Sequence, residues 1–208
     1  MSTQPNREIE IKFAFETEQD FQRFVSLFGD RNKFVVQTNY YLDTEDGSLC
    51  RMGLVVRLRE ACGKFLLTAK GLRNIKTEGL FDVLEFEVEV GQKEGEKLLK
   101  GVCHGEAVAR YLPELPSKVK EVLASKRLTL LTKSRTRRFK VVLGKGVEGV
   151  ADETMFENGR KDYEVEVESD DTVTAREVLM EALKLCGAKA VAQTMSKFER
   201  AMTNRIKV

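Results

Sequence analysis

The chain has 208 residues, of which 42% are hydrophobic and 33% are charged, and its formal net charge is only +2. That length suits one domain with a real core, and we predict a single domain over residues 1–208. The small net charge argues against a general nucleic-acid surface, because such a surface needs a strong basic excess. No apolar run approaches the ~20 residues that span a bilayer, and the N-terminus does not resemble a secretory signal. We therefore expect a cytoplasmic protein without a membrane partner.

Alternation of apolar and polar side chains predicts about eight strands along the chain. Turn residues separate several of them, such as Gly63 in a hairpin and Asp46-Gly47 after the second strand. The predicted strands are residues 7–15, 34–42, 53–60, 64–70, 82–90, 128–143, 147–153 and 161–168.

Apolar side chains at helical spacing predict helices between the strands. Thr17 could cap a helix over about residues 18–28, whose phenylalanines share one face. A second helix is predicted at 94–111, and a short third helix follows with Ser117 as its cap.

Near the C-terminus, Thr174 is predicted to begin a helix that runs to about Cys186. Gly187 is a suitable C-cap for it, because glycine adopts the left-handed conformation readily. The last segment, 194–206, is compatible with a helix or with an irregular tail.

The cysteines and the single histidine limit the metal chemistry. Cys50, Cys62, Cys103 and Cys186 form no C-x-x-C pair, and His104 is the only imidazole. A zinc site of sulfur and nitrogen ligands is therefore not expected, and the thiols are predicted to be reduced. We assign no role to the histidine. A bound metal would be held mainly by carboxylates, which favours hard cations such as Mg²⁺ or Mn²⁺.

Charges on most predicted strands have one sign and lie on one face. Side chains at i and i+2 of a strand project to the same side, so like charges there repel one another. A merely solvated surface would mix the two signs. The same-sign sets are Glu8 and Glu10, Arg57 and Arg59, Glu85, Glu87 and Glu89, Lys133, Arg135 and Arg137, and Glu164, Glu166 and Glu168.

These strands predict a mainly β, α+β protein in which eight antiparallel strands close into a barrel and helices pack outside. Composition alone leaves open whether the charged faces point into the lumen or out to solvent. Segregation of sign favours the lumen, because the repulsion within each strand must be offset by opposite charge, metal or ligand nearby. Acids could hold metal cations, and bases could hold a polyanion.

Short charged motifs follow one another in order over about residues 8–200. Together they resemble the CYTH superfamily, the triphosphate tunnel metalloenzymes. The motifs are EIEIKF (8–13), NYYLDTEDGSL (39–49), VRLR (56–59), TAKG (68–71), LEFEVEV (84–90), KSRTRR (133–138), GVADET (149–154), DYEVEVES (162–169) and MSKF (195–198).

This resemblance implies an eight-stranded barrel whose charged tunnel binds a triphosphate-bearing small molecule together with a divalent metal, Mg²⁺ or Mn²⁺. The implied metal ligands are Glu8, Glu10, Asp152, Glu166 and Glu168. The implied substrate contacts are Lys12, Arg57, Arg59, Lys70, Arg135, Arg137 and Lys197. The residues given catalytic roles are Glu10, Lys12, Glu85 and Glu87.

Some positions keep two interpretations. The register of KSRTRR is ambiguous, so Lys64 or Lys133 could replace one of its arginines. Asp152 could be a metal ligand or a partner that orients an arginine, and Glu89 could lie at the tunnel mouth or in solvent. In NYY, one tyrosine is expected in the core and the other beside the ligand.

The superfamily includes tripolyphosphatases, thiamine triphosphatases, class IV adenylyl cyclases and RNA triphosphatases, so the resemblance leaves the substrate open. The thiamine-triphosphatase branch has a Trp two residues before the first Arg of R-x-R, whereas this chain has Val55 there and no Trp. We therefore expect hydrolysis of inorganic tripolyphosphate to diphosphate and phosphate. The alternatives are a thiamine triphosphatase, a class IV adenylyl cyclase, and a non-catalytic polyphosphate- or nucleotide-binding module.

Overall fold

Eight antiparallel strands close into a barrel, as predicted. Neighbouring strands follow the order β5–β4–β3–β2–β6–β7–β8–β1, and pairing of β1 with β5 closes the ring. The strands are β1 (Asn6–Phe15), β2 (Val35–Thr44), β3 (Leu54–Ala61), β4 (Lys64–Thr77), β5 (Leu80–Val90), β6 (Leu128–Gly144), β7 (Val147–Phe156) and β8 (Lys161–Glu168). The computed structural model describes residues 5–100 and 105–206, without the side chains of 72–77, so Cys103 and His104 lie outside the described residues.

Helices cover the outside of the barrel. Two of them, α3 (Gln92–Leu99) and α4 (Gly105–Tyr111), overlap the range 94–111 that was predicted as one helix. A short ninth strand, β9 (Ala190–Ala192), pairs with the end of β1. The helices in the described ranges are α1 (Glu18–Phe28), α2 (Ser48–Arg51), α3 (Gln92–Leu99), α4 (Gly105–Tyr111), α5 (Ser117–Ser125), α6 (Thr172–Cys186) and α7 (Lys197–Thr203).

Helix ends follow the predicted caps in part. Thr17 caps α1 by accepting a hydrogen bond from the backbone N–H of Asp20, and Gly187 ends α6 in the left-handed conformation with a φ of 62°. The predicted start of α6 at Thr174 is wrong by two residues, because Asp171 is the cap and accepts from the N–H of that threonine. Ser117 is the first residue of α5 and makes no cap hydrogen bond, so its predicted capping role is also wrong.

The last segment, 194–206, for which the sequence allowed a helix or an irregular tail, contains the helix α7. Ser196 caps α7 by accepting from the N–H of Glu199, whose carboxylate accepts from the N–H of Ser196 in return. This reciprocal pair satisfies two backbone donors that a helix end otherwise leaves unpaired.

The apolar faces of the strands point outward and are buried under the helices in two clusters. In one cluster, Phe13, Phe139 and Val165 pack under α1 and α6; in the other, Leu58 and Leu67 pack under α3, α4 and α5. Complete burial of one such side chain stabilises the fold by about 1.5–3 kcal/mol. Since strand side chains alternate, burying these faces outside turns the opposite faces into the lumen.

Within residues 5–100 and 105–206, none of the helices has the length and apolar character required to cross a membrane. The cysteines in these ranges, Cys50, Cys62 and Cys186, are free thiols.

Candidate functional site

A cavity of about 290 Å³ lies inside the barrel, and charged side chains from six strands and α7 line it. Register explains why they meet: Glu10 pairs with Glu168 and Lys12 pairs with Glu166 across β1 and β8, so all four project to one side. Most of the predicted site residues are brought together here. Those that line the cavity are Glu8, Glu10, Lys12, Arg57, Arg59, Lys70, Glu85, Glu87, Glu166, Glu168 and Lys197.

Two predicted substrate contacts do not reach the cavity. Arg135 is exposed on the outer face of β6, and Arg137 points outward, where it pairs with Glu153 at 3.0 Å and lies over the ring of Phe34. The prediction that these two arginines line the lumen is therefore wrong. Arg138 takes their place.

The sequence holds a signal that identifies Arg138. Phe139 and Val141 are buried in an outer cluster, and they share strand parity with Arg137. Arg138, one residue along, therefore faces inward. Ser134 and Thr136, which precede Arg138 on the same face of β6, are polar too. Both faces of the strand are therefore polar in this stretch, so alternation of apolar and polar residues does not mark the lumen side there.

A matched pair of conservative substitutions tests this register. Arg138→Lys should lower kcat/KM for the substrate by about tenfold, because a point charge cannot replace a guanidinium that bonds two oxygens of Asp152. Arg137→Lys should stay within about twofold of the wild type, because Arg137 lies outside the cavity and keeps a positive charge beside Glu153. Steady-state kinetics on both variants measures these effects, and a loss within twofold for Arg138→Lys as well would place Arg138 outside the site.

Buried acids on β7 and β8 are already neutralised by cations. Arg138 donates to Asp152 at 2.9 and 2.6 Å and to Glu166 at 2.9 Å, and Lys197 Nζ lies 2.5 Å from Asp152 and 3.4 Å from Glu166. Burial would raise the pKa of Asp152, but Arg138 and Lys197 outweigh it and hold that pKa below its usual value. Carboxylate oxygens of Asp152, Glu164 and Glu166 lie within 4.8 Å of one another, so this acidic cluster is also an ion-pair cluster.

The predicted lysines of the cavity are tied to acids. Lys12 Nζ lies 2.6 Å from Glu10 and 2.9 Å from Glu166, and Lys70 pairs with Glu8 and lies 3.9 Å from Glu10. Carboxylates of the protein thus partly neutralise the positive charges of both lysines before any ligand binds.

A second set of acids carries more negative charges than it has lysines beside it; its members are Glu8, Glu10 and Glu168. Burial and then Glu10 raise the pKa of Glu8 to about 8, despite its contact with Lys70. Burial and Glu10 also raise the pKa of Glu168, which has no ion pair in the described part of the chain. Burial opposes ionisation of Glu10 too, but Lys12 and Lys70 lower its pKa to about 2. Carboxylates that repel one another in one cavity attract a cation.

The arginines of β3, Arg57 and Arg59, form a basic set with fewer acidic partners than positive charges. Arg57 donates to Thr68 at 3.3 Å and to Glu85 at 3.4 Å. Arg59 donates to the neutral Asn39 at 3.2 Å and has no ion pair among the described residues. Repulsion by Arg57, then burial and repulsion by Arg138, lower the pKa of Arg59 to about 10. Cations that repel one another in a cavity leave a position for an anion.

The acids of β5 differ in depth. Glu85 lies 4.0 Å from Lys70 and pairs with Arg57, whereas Glu87 is largely exposed and accepts from Thr68 at 3.2 Å. Glu89 is exposed and pairs with Lys64 at 3.0 Å, which places both in solvent.

Neutral residues of the lining were largely missed. Gln37 and Asn39 are buried and line the cavity next to the arginines, and Phe81 and Phe198 line it as well. Tyr41, the second tyrosine of the NYY motif, is buried, lines the cavity and packs on Phe198 with ring centroids 5.3 Å apart. Strand parity locates Gln37 and Asn39, because they and Tyr41 are spaced two residues apart in β2 and share one face.

Comparison with known proteins places the chain in a family. The model of the CYTH domain matches residues 6–200, and the chain belongs to this family. The family is metal-dependent and comprises adenylyl cyclase-like proteins and triphosphatases. No curated protein matches the sequence.

Several solved structures share the fold. A Hippeastrum protein, described as a candidate adenylyl cyclase with a dominant triphosphatase activity, has a TM-score of 0.78 at 23% identity over 96% of this chain and 97% of its own. A candidate adenylate cyclase from Bacillus halodurans has a TM-score of 0.68 at 24% identity over 93% and 97%. The PH1819 protein of Pyrococcus horikoshii has a TM-score of 0.54 at 20% identity over 94% and 99%. At these identities the likeness concerns the fold alone.

Proposed function

We propose that the protein is a divalent-metal-dependent triphosphatase that hydrolyses inorganic tripolyphosphate to diphosphate and phosphate. One observation carries the proposal: under-neutralised arginines and under-neutralised carboxylates line the same cavity. The first set calls for an anion and the second for a cation. A metal–polyphosphate complex supplies both.

The arginines would hold the phosphate oxygens. Arg57, Arg59 and Arg138 present planar guanidinium groups, which suit two oxygens at once. A triphosphate carries about four negative charges near neutral pH, given the low second pKa of phosphate groups. Placing that charge between arginines that repel one another relieves the repulsion, which favours binding.

The carboxylates at the other side would hold the metal. We assign this role to Glu8, Glu10 and Glu168, which are short of cations, and we assign Asp152 and Glu166 to the orientation of Arg138. When bound, Mg²⁺ or Mn²⁺ would neutralise phosphate oxygens and lower the pKa of a coordinated water.

Water would attack the terminal phosphorus in line with the diphosphate leaving group, so that no covalent nucleophile is needed. Arg57 and Arg59 would stabilise negative charge as it develops on the transferring group. Glu85, which is close to both Arg57 and Lys70, would orient the cations and the attacking water.

Substrate choice gives a direct test. Val55 lines the cavity where a stacking Trp would be needed for an organic ring, and loss of such stacking removes roughly 0.5–1.5 kcal/mol of recognition. We expect kcat/KM for tripolyphosphate to exceed that for thiamine triphosphate and for ATP by at least about tenfold. Phosphate release should be measured for each compound with Mg²⁺ and with Mn²⁺.

Rival functions would give different products in the same assays. Comparable efficiency on thiamine triphosphate would favour a thiamine triphosphatase. Formation of cyclic AMP from ATP at a similar rate would favour a cyclase. Binding of all the compounds without turnover would favour a non-catalytic module.

A further inference from the structure

A buried arginine, Arg200, ties the helix α7 to the barrel. Arg200 is 8% exposed. Its Nη1 donates to the carbonyl oxygen of Met195 at 2.7 Å, and its Nε donates to the carboxylate of Asp162 at 2.6 Å. Its Nη2 lies 2.7 Å from Glu164 Oε1. Arg200 and Glu164 are absent from the cavity lining, so neither contacts a substrate held there.

Glu164 connects this arginine to the cavity. Lys197 Nζ lies 2.9 Å from Glu164 Oε1, the oxygen that faces Arg200. Lys197 does line the cavity, where it also lies 2.5 Å from Asp152 and 3.4 Å from Glu166. A single carboxylate oxygen is therefore shared between a guanidinium outside the cavity and an ammonium inside it.

We propose that Arg200, acting through Glu164, is a positioning residue that sets the place of the Lys197 ammonium group in the cavity. Glu164 is 1% exposed, so its charge must be balanced by neighbours rather than by water. Arg200 takes part of that charge, which leaves Lys197 free to lie between Glu164, Asp152 and Glu166. Without Arg200, Glu164 would draw Lys197 out of this position. The effect on catalysis rests on the proposed triphosphatase function.

Substitutions at the two carboxylates that contact Arg200 can distinguish positioning of Lys197 from simple attachment of α7. The contact with Asp162 anchors the helix but leads away from Lys197, whereas the contact with Glu164 leads to it. If Arg200 only attaches the helix, Asp162→Asn should displace Lys197 as Arg200→Met does. If it positions Lys197, only Glu164→Gln and Arg200→Met should displace the lysine. Arg205→Met is a matched control, because Arg205 is exposed just beyond α7.

Heteronuclear NMR of the lysine ammonium groups reads the position directly, in the full-length protein without substrate. The cross-peak of Lys197 is assigned by its loss in Lys197→Met. We expect that cross-peak to shift in Arg200→Met and Glu164→Gln, and to stay in place in Asp162→Asn and Arg205→Met. An unmoved cross-peak in Arg200→Met, or an equal shift in Asp162→Asn, would overturn the proposal.

Kinetics on tripolyphosphate supplies the second readout. Arg200→Met and Glu164→Gln should lower kcat/KM by about tenfold to a hundredfold, the scale of a misplaced group in a site. In a Lys197→Met background, Arg200→Met should add little, because both changes act through one side chain. Additive losses would contradict positioning. If the wild type hydrolyses no triphosphate, the proposed function fails, and the NMR shifts alone decide whether Arg200 positions Lys197.

Discussion

Replacing Arg59 by alanine is expected to lower kcat/KM for tripolyphosphate by roughly a hundredfold or more, the scale of losing a transition-state donor. Arg59 has no ion pair among the described residues and is repelled by Arg57 and Arg138, so a bound anion would supply counter-charge that it lacks. Arg57→Ala should cause a loss of similar size. Steady-state kinetics with tripolyphosphate and saturating Mg²⁺ measures both.

Thermal unfolding distinguishes this role from a structural one. Because Arg57 and Arg138 repel Arg59 when no anion is bound, Arg59→Ala should leave the melting temperature unchanged or raise it, as is common for functional residues. Arg59→Lys should restore only part of the activity that Arg59→Ala loses, since an ammonium group cannot bond two phosphate oxygens as a planar guanidinium does. Arg135→Ala, an exposed arginine on the outer face of β6, serves as the control. Full activity in Arg59→Lys would show that charge alone matters at this position.

The sequence predicted the barrel and the lumen side of β1 because apolar and charged residues alternate there without interruption. Ile9, Ile11 and Phe13 mark the outer face, so Glu8 and Lys12 must face inward. In such strands the alternation separates the two faces, and the segregation of charge sign indicates that the charged face lines the lumen.

The site was harder to predict where both faces of a strand are polar. In β6, Arg135 and Arg137 lie on the outside and Ser134 and Thr136 lie in the lumen, so no apolar side chain marks either face between Leu131 and Phe139. Counting back from that phenylalanine gives the observed register, whereas charge alone does not.

Long-range ion pairs were beyond sequence reasoning. The resemblance located Lys197, but nothing local shows that Arg200 and Glu164 meet, because α7 and β8 come together only when the barrel closes. The neutral Gln37 and Asn39 were missed for a related reason. A buried neutral polar side chain leaves no charge pattern in a strand, and its burial is visible only in three dimensions.

Glu168→Gln is expected to reduce kcat by roughly a hundredfold to a thousandfold at saturating tripolyphosphate, on the scale of losing a contact that stabilises transition-state charge. Glu168 makes no ion pair within residues 5–100 and 105–206, so the substitution removes one charge and little volume without breaking a salt bridge. Glu10→Gln should cause a comparable loss, although it also frees Lys12 from one partner at 2.6 Å.

Metal titration identifies the cause of that loss. A variant that lacks one carboxylate ligand should need a higher Mg²⁺ or Mn²⁺ concentration for half-maximal activity, and calorimetry should show weaker Mn²⁺ binding. Glu89→Gln is the matched control, because Glu89 lies on the same kind of strand but pairs with Lys64 in solvent. Near wild-type turnover of Glu10→Gln or Glu168→Gln at saturating Mg²⁺ would remove that residue from the metal ligands. The metal would then have to compete with Arg138 and Lys197 for Asp152 and Glu166, whose charges are already balanced.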